Sequence, residues 1–403
     1  MIRTIARVLR GEGLSSAARR AGERVADAFQ DRLLRARASF TTSAPAEVLN
    51  VSYAPIATRL GGVQVQLASR LREERALRTV ALLHSQGLTI SSPRLHTRDV
   101  QSVQRALEIT GARIVHIENT DAIDVDEALR LADAGVRLVL SVHDFSLFCR
   151  HPHLIEQPMQ RFCFYSQDLD RCARCLASTP SSQSTYRASR RALLEAATHI
   201  VFPSQFLLDQ HRALFSLPLV NASVIAPGVR PFLAPHSSSP RKGIAYVGAL
   251  KVHKGAHLLP DLIRDDEPWH IFGGGDEALL RPLRRRSRVR IHGYYRDGEL
   301  PALLARHHIG LVVLPSIWPE TFGLVLSEAW LAGATVAAFD LGAIAARIRI
   351  SHNGLLTPLE YGAAGLRALI DQWKFRAIDA VAPPVPTPRD AALAHVALYR
   401  RCS

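Results

Sequence analysis

Short apolar runs alternate with helix-like stretches in two separate series along this chain, and a proline- and serine-rich segment divides them. The first series places strands at residues 47–52, 79–84, 114–117, 136–142 and 198–202, with helical stretches at 63–74 and 125–134. The second restarts with strands at 243–247, 269–272, 289–291, 309–314 and 335–339. Strand and helix in alternation favour parallel sheets, because a parallel strand needs a crossover and the crossover helix covers a face. The dividing segment, residues 224–240, reads VIAPGVRPFLAPHSSSP and carries four prolines and a serine run. With 403 residues the chain exceeds what one core serves.

These observations predict two Rossmann-like layers. The expected organisation is a basic helical arm over 1–40, a first domain over 41–225 and a linker over 226–240. A second domain over 241–385 follows, with a last helix in 386–403 that packs back on the first domain. The arm alternates arginines (Arg3, Arg7, Arg10) with apolar residues (Ile2, Ile5, Val8), so it suits either the protein body or an anionic membrane surface. Charges interrupt every apolar run there, which argues against a signal peptide. No run approaches a membrane-spanning length. The expected location is cytoplasmic, with peripheral contact to the inner face of the plasma membrane.

Fifty Lys and Arg against 36 acidic residues leave a formal charge of +14. That excess favours anionic partners such as nucleotides, pyrophosphate-linked substrates or phospholipid headgroups. Nucleic acid is not expected, since the arginines are spread and no finger, RNP or KH pattern occurs.

Candidate chemistry gathers after strands, where open parallel sheets bind ligands. The stretch PSIWPETFGLVLSEAWLAG, residues 315–333, reads as a strand exit, a turn and a helix. Amides at Phe322, Gly323 and Leu324 are placed to bind phosphate at the helix start. Glu320 and Glu328 flank the turn with seven residues between them. A carboxylate accepts two hydrogen bonds, which suits a ribose diol. Paired acids also serve glycoside hydrolysis, and their spacing in sequence does not separate these uses. The loop GALKVHKG follows another strand and supplies Gly248, Lys251 and Lys254; a lysine there pairs with phosphate, or is a solvated surface group. In the first half, Gly61 and Gly62 open a helix after a strand. His143 and Asp144 also follow a strand, where His143 is a sugar-contacting group or an ordinary core histidine. His116 and Glu118 read more simply as a packed histidine and a solvated loop carboxylate.

Four of the five cysteines, Cys149, Cys163, Cys172 and Cys175, lie in one short region. Only Cys172 and Cys175 have CxxC spacing. A structural zinc, buried free thiols and a redox pair all remain open.

The motifs together resemble the family 4 retaining nucleotide-sugar glycosyltransferases. ETFGLVLSE over 320–328 fits that family's EX7E pattern, and Gly61-Gly62, the histidine of SVHDFSLFC, GALKVHKG, VIAPGV and NGLL support it. The resemblance covers about residues 48–400. It implies a GT-B fold, with two Rossmann-like domains facing across a cleft, and sugar transfer from a nucleotide diphosphate sugar to a glycan or lipid-linked glycan acceptor. It implies that Lys254 and the amides at Phe322, Gly323 and Leu324 contact the diphosphate, with Gly248 in the same loop region as Lys254. By the same resemblance Glu328 binds ribose, Glu320 faces the donor sugar, His143 positions it, and Gly62 permits close approach. No catalytic cofactor is expected. The HD-x4-C stretch with the later cysteines resembles a subgroup of bacterial surface-polysaccharide enzymes. Two departures stand out: Ala249 replaces the family's usual arginine, and Leu341-Gly342-Ala343-Ile344 replaces a glycine-glycine or proline-glutamate segment. A nucleotide-sugar epimerase or hydrolase, and an inactive binding protein, are the alternatives.

Overall fold

The computed structural model describes residues 45–55, 61–91, 95–232, 241–375 and 383–402. The basic arm over 1–40 and the end of the linker, from 233 to 240, lie outside the described residues. The described chain forms two compact units. Of the described residues, one takes in those up to Gln157, then Cys163–Gly228 and the C-terminal helix; the other takes in Pro158–Phe162 and those within Val229–Val385.

The N-terminal unit is built on an eight-stranded sheet. Ala222–Val224, His199–Phe202, Arg137–Ser141, Ile114–Ile117, Val48–Val51 and Val80–His84 lie side by side and parallel. The expected parallel core is therefore present, but the sheet is mixed. Gly87–Ser91 and Leu95–Arg98 add an antiparallel edge. Only Ser85 and Gln86 separate the strands Val80–His84 and Gly87–Ser91, and so short a connection can only reverse the chain. Gln86 N–H donates to His84 Nδ1 at 3.2 Å and closes that turn.

Helix Pro388–Cys402 packs on helix Gly62–Glu74 through a buried polar network. Arg70 donates to Glu74 and to the Tyr399 hydroxyl, both at 2.8 Å, and pairs with Glu118. The Tyr399 hydroxyl lies 2.6 Å from His116 Nδ1, and His116 Nε2 lies 2.8 Å from Ser141 Oγ. Glu118 is thus not solvated: it is 2 % exposed and held by Arg70, 48 positions away in sequence. Burial pushes its pKa up to about 7, opposed by the Arg70 charge. His116 is driven well below its usual range, by burial first and then by Arg70.

The C-terminal unit holds a six-stranded, all-parallel sheet. Its order is Val289–Gly293, Trp269–Phe272, Gly243–Val247, Ile309–Leu314, Thr335–Phe339 and Leu355–Thr357. Ile309–Leu314 is buried at every position, as a strand covered on both faces must be. Helix Leu324–Leu331 follows it. That helix carries apolar residues on nearly all sides and is buried accordingly, so it is a core element rather than a surface one.

Tyr399→Phe tests how the C-terminal helix is held. The change keeps the ring but removes the hydroxyl shared by Arg70 and His116, leaving buried polar groups short of a partner. The expected loss is about 1–3 kcal/mol in the unfolding of the N-terminal unit, read from denaturant midpoints. An unchanged midpoint would show that the network does not secure the helix.

Candidate functional site

In the C-terminal unit two loops meet at the carboxyl ends of neighbouring strands. The first, Gly248 to Gly255, leaves strand Gly243–Val247, and Gly248 N–H donates to Phe272 O at 2.9 Å. The second, Pro315 to Phe322, leaves strand Ile309–Leu314 and is buried throughout. Gly255 joins them. It sits at φ 71°, and a Cβ there would lie 1.7 Å from the Pro315 carbonyl oxygen. Only glycine allows that approach. Ile317 N–H then donates to His253 O at 3.0 Å and ties the loops together.

This docking brings Lys254 to Glu320 across 66 positions of sequence. Lys254 Nζ donates to Glu320 Oε1 at 2.6 Å, and Ser316 Oγ donates to the same oxygen at 2.8 Å. The ammonium also lies 5.4 Å from the centre of the Trp318 ring. Burial raises the Glu320 pKa, but Lys254, Ser316 and Trp318 outweigh it and hold the carboxyl below its ordinary value. Ala343 N–H donates to Glu320 O at 2.7 Å, so the altered 341–344 segment holds the backbone of this residue.

Gly323 precedes helix Leu324–Leu331 at φ 79°, a left-handed conformation, with no side-chain cap. Arg347, from helix Gly342–Ser351, donates to Phe322 O at 3.0 Å and Gly323 O at 3.1 Å. A trans peptide points its N–H opposite to its carbonyl. The amides of Gly323 and Leu324 therefore face away from Arg347, and the helix start presents donors on one side. Arg347 also donates to Ser327 Oγ at 2.7 Å and stacks 4.0 Å from the Phe322 ring. Burial lowers its pKa to about 10.

Glu328 sits one turn into this helix and is 8 % exposed. Among the described residues no lysine or arginine forms an ion pair with it. Burial pushes its pKa up to about 8, and Asp297 adds to the rise. Two acids flanking one turn are thus set to opposite states: Glu320 ionised against a lysine, Glu328 protonated at neutral pH.

The structure brings together Lys254, Glu320, Phe322, Gly323, Leu324 and Glu328 on adjoining loops and one helix. Gly61, Gly62 and His143 belong to the N-terminal unit. Gly61 is the N-cap of helix Gly62–Glu74 and carries no side-chain cap. His143 lines a cavity of about 50 Å³ with Arg70, Glu118 and His395. Burial lowers its pKa to about 4, Arg70 lowers it further, and a hydrogen bond to the Glu118 backbone opposes both. Its imidazole is neutral at physiological pH.

All five cysteines are free thiols. Cys163, Cys172 and Cys175 all act electrostatically on Cys149, so the four thiols are neighbours; within the group His151 N–H donates to Cys149 Sγ at 3.4 Å, and Arg187 Nη2 donates to Cys172 Sγ at 3.4 Å. Cys175 Sγ lies 3.7 Å from His151 Nδ1. Burial pushes the Cys149 thiol up to about 11. Among the described residues the donor group compact enough for a metal ion is a different one, His270, His292 and His307, whose ligand atoms lie within 4.8 Å of one another. No described helix is long and apolar enough to cross a membrane.

Residues 241–372 match the family model described as "Glycosyl transferases group 1". No curated protein is similar enough in sequence to count as a match. Among solved structures, sucrose-phosphate synthase from Thermosynechococcus elongatus superposes with a TM-score of 0.64 at 16% identity, over 89% of this chain and 99% of that one. A glycosyltransferase from Rickettsia africae gives 0.60 at 15%, over 89% and 98%. HepE of Anabaena, in complex with UDP and glucose, gives 0.58 at 17%, over 89% and 98%.

The chain has the GT-B fold. The structural likeness extends over both units, whereas the sequence likeness to the family model falls on the C-terminal unit of this GT-B chain, where Lys254, Glu320 and Glu328 lie.

Several residues were not apparent from sequence. Arg347, Ser316 and Trp318 support the pair of acids but carry no spacing that marks them. Asp297 acts on Glu328 from a separate loop.

Glu328→Gln tests the buried acid. A carboxyl whose pKa rises from 4.5 to about 8 on folding contributes stability that is fully present at low pH. That contribution is lost as pH rises through the folded value, because the unfolded chain ionises first. Glutamine does not titrate. The melting temperature of the variant should therefore gain on wild type between about pH 4.5 and 8 and then hold a constant lead. A gap independent of pH would show that Glu328 is ionised in the folded protein.

Proposed function

We propose that this chain is a retaining glycosyltransferase that moves a sugar from a nucleotide diphosphate sugar to a hydroxyl of a glycan or lipid-linked glycan, in polysaccharide biosynthesis. The observation that carries the reading is the Lys254–Glu320 pair at 2.6 Å beside a helix start whose amides are turned outward by Arg347. A cation and a set of amides converge with two acids in different protonation states. The family match over 241–372 and the UDP-bound HepE structures support a sugar nucleotide as the ligand.

In this scheme the diphosphate lies against Lys254 and the amides of Gly323 and Leu324. Negative charge grows on the leaving diphosphate as the anomeric bond breaks, and these groups stabilise it where it develops. Diphosphate binding competes with Glu320 for the ammonium, which frees the carboxylate to accept hydrogen bonds from the donor sugar. Glu328 accepts from the ribose hydroxyls, and ionises as it does so. The leaving phosphate oxygen takes the acceptor proton, so no protein base is required. His143, kept neutral in the N-terminal unit, is suited to donate to or accept from a sugar hydroxyl. Ala249 supplies no charge, and Lys251 is the cation nearest in sequence to take that part. No step uses a cofactor.

Isothermal titration of the full-length protein with UDP-glucose and with GDP-linked sugars tests the assignment. Glu328→Ala should weaken the best donor about 10- to 100-fold, the loss of roughly one hydrogen bond to a charged group net of the cost of ionising the acid. Lys254→Ala should weaken the free nucleoside diphosphate as well, whereas Glu320→Gln should affect the sugar nucleotide more than the diphosphate. Unchanged donor affinity in Glu328→Ala removes the ribose role. For the reaction, proton NMR of the first-formed glycoside should show the anomeric configuration of the donor. Free sugar released equally with and without acceptor would make the protein a hydrolase.

A further inference from the structure

The C-terminal unit contains a second cluster that the transfer scheme does not use. His270 lies on strand Trp269–Phe272, His292 on the neighbouring edge strand Val289–Gly293, and His307 caps the C-terminus of helix Leu300–Arg306. Three separate elements converge on one point. His270 Nδ1 and His292 Nε2 are 2.9 Å apart, and the rings of His292 and His307 lie 4.4 Å centre to centre.

The convergence depends on an irregularity. Pairing runs His270 with Arg290 and Ile271 with Ile291, but then Phe272 with Gly293, so His292 is an extra residue on the edge strand. A bulge at a sheet edge re-aims a side chain. Here it stacks the His292 ring on Phe272 at 4.4 Å and brings it beside His270.

We propose that His270, His292 and His307 form a binding site for one divalent transition-metal ion of the zinc type, which pins the edge strand to its neighbour and to the end of the helix. The spacing fits such an ion. Tetrahedral zinc with bonds of about 2.0–2.1 Å to imidazole nitrogen separates two ligand nitrogens by about 3.3 Å. His270 and His292 need open by only a few tenths of an ångström from their shared hydrogen bond, the ion taking the place of the proton between them. His270 is buried, while His292 and His307 are partly exposed, so an ion has a route in and a fourth position is left for water. The set is all imidazole, with Arg290 and Arg306 nearby, and excludes magnesium and calcium, which require oxygen ligands. The site is separate from the thiol cluster, which lies in the N-terminal unit. The proposal does not depend on the glycosyltransferase reading.

The test is Co²⁺ titration of the metal-free, full-length protein, followed by visible absorption and by competition with Zn²⁺. The expected result is saturable uptake at the histidines with tetrahedral d–d bands and no thiolate charge-transfer absorption from that site. His292→Phe, which keeps the stack on Phe272, and His307→Gln, at a partly exposed helix end, should each weaken this uptake by on the order of tenfold or more. Cys172→Ser should leave it intact. If the thiol cluster also binds, wild type takes up two ions, and each histidine variant should fall to one. Tetrahedral d–d bands free of thiolate charge transfer that survive undiminished in either histidine variant, or no such saturable uptake by wild type, overturn the proposal. Circular dichroism of each variant identifies a change caused by misfolding, and the wild-type spectrum decides the ligand type without any variant.

Discussion

The Lys254–Glu320 pair rests on the close approach of two backbones at Gly255 and Pro315. Any side chain at 255 would overlap the Pro315 carbonyl, so one missing methyl group sets where the Lys254 loop can lie. From that contact the rest follows in order. The loop locks through Ile317 and His253, Lys254 reaches Glu320, and the Glu320 backbone is taken up by Ala343. A buried carboxylate alone would be costly; here it is offset by a cation and by hydroxyl and indole donors. In the proposed scheme a diphosphate at Lys254 exchanges one anionic partner of the ammonium for another, so the cation is held in place before the ligand arrives.

The two acids show why spacing in sequence cannot assign roles. Both lie near one helix start and both are buried. Glu320 has a lysine and falls below the ordinary carboxyl range; Glu328 has Asp297 for a neighbour and rises to about 8. Their environments divide them into an ionised group beside Lys254 and a protonated one beside Asp297. In the proposed scheme a ribose diol that donates two hydrogen bonds favours the ionised form, so part of the binding free energy is taken up in releasing the Glu328 proton to solvent.

Much of the fold was legible from periodicity, because parallel strands buried on both faces appear as short apolar runs. Gly243–Val247, Trp269–Phe272, Ile309–Leu314 and Thr335–Phe339 lie where those runs are. The edge pair Gly87–Ser91 and Leu95–Arg98 was not legible, since Ser85-Gln86 is not a marked hairpin turn, and the three-residue strand Ala222–Val224 is too short to show a period. In the site, residues within one motif were legible and their supports were not. Arg347 acts on the helix start from a neighbouring helix, Arg70 holds Glu118 across 48 positions, and the three histidines sit on three elements. Sequence patterns record neighbours along the chain, whereas these contacts are set by packing.

In the N-terminal unit the same reasoning explains why His143 stays neutral. The strand ends carrying Glu118 and His143 adjoin Arg70, whose guanidinium is shared among Glu74, Glu118 and Tyr399. Burial lowers the His143 pKa most, and the permanent Arg70 cation disfavours a second charge nearby, so His143 is held near pKa 4 although it borders a cavity. A histidine in that state is unsuited to act as an acid at neutral pH. It retains one donor and one acceptor, which is what recognition of a sugar hydroxyl requires. Burial first, and then the Arg70 charge on helix Gly62–Glu74, keep His143 neutral, which suits it to hydrogen bonding rather than to donating a proton.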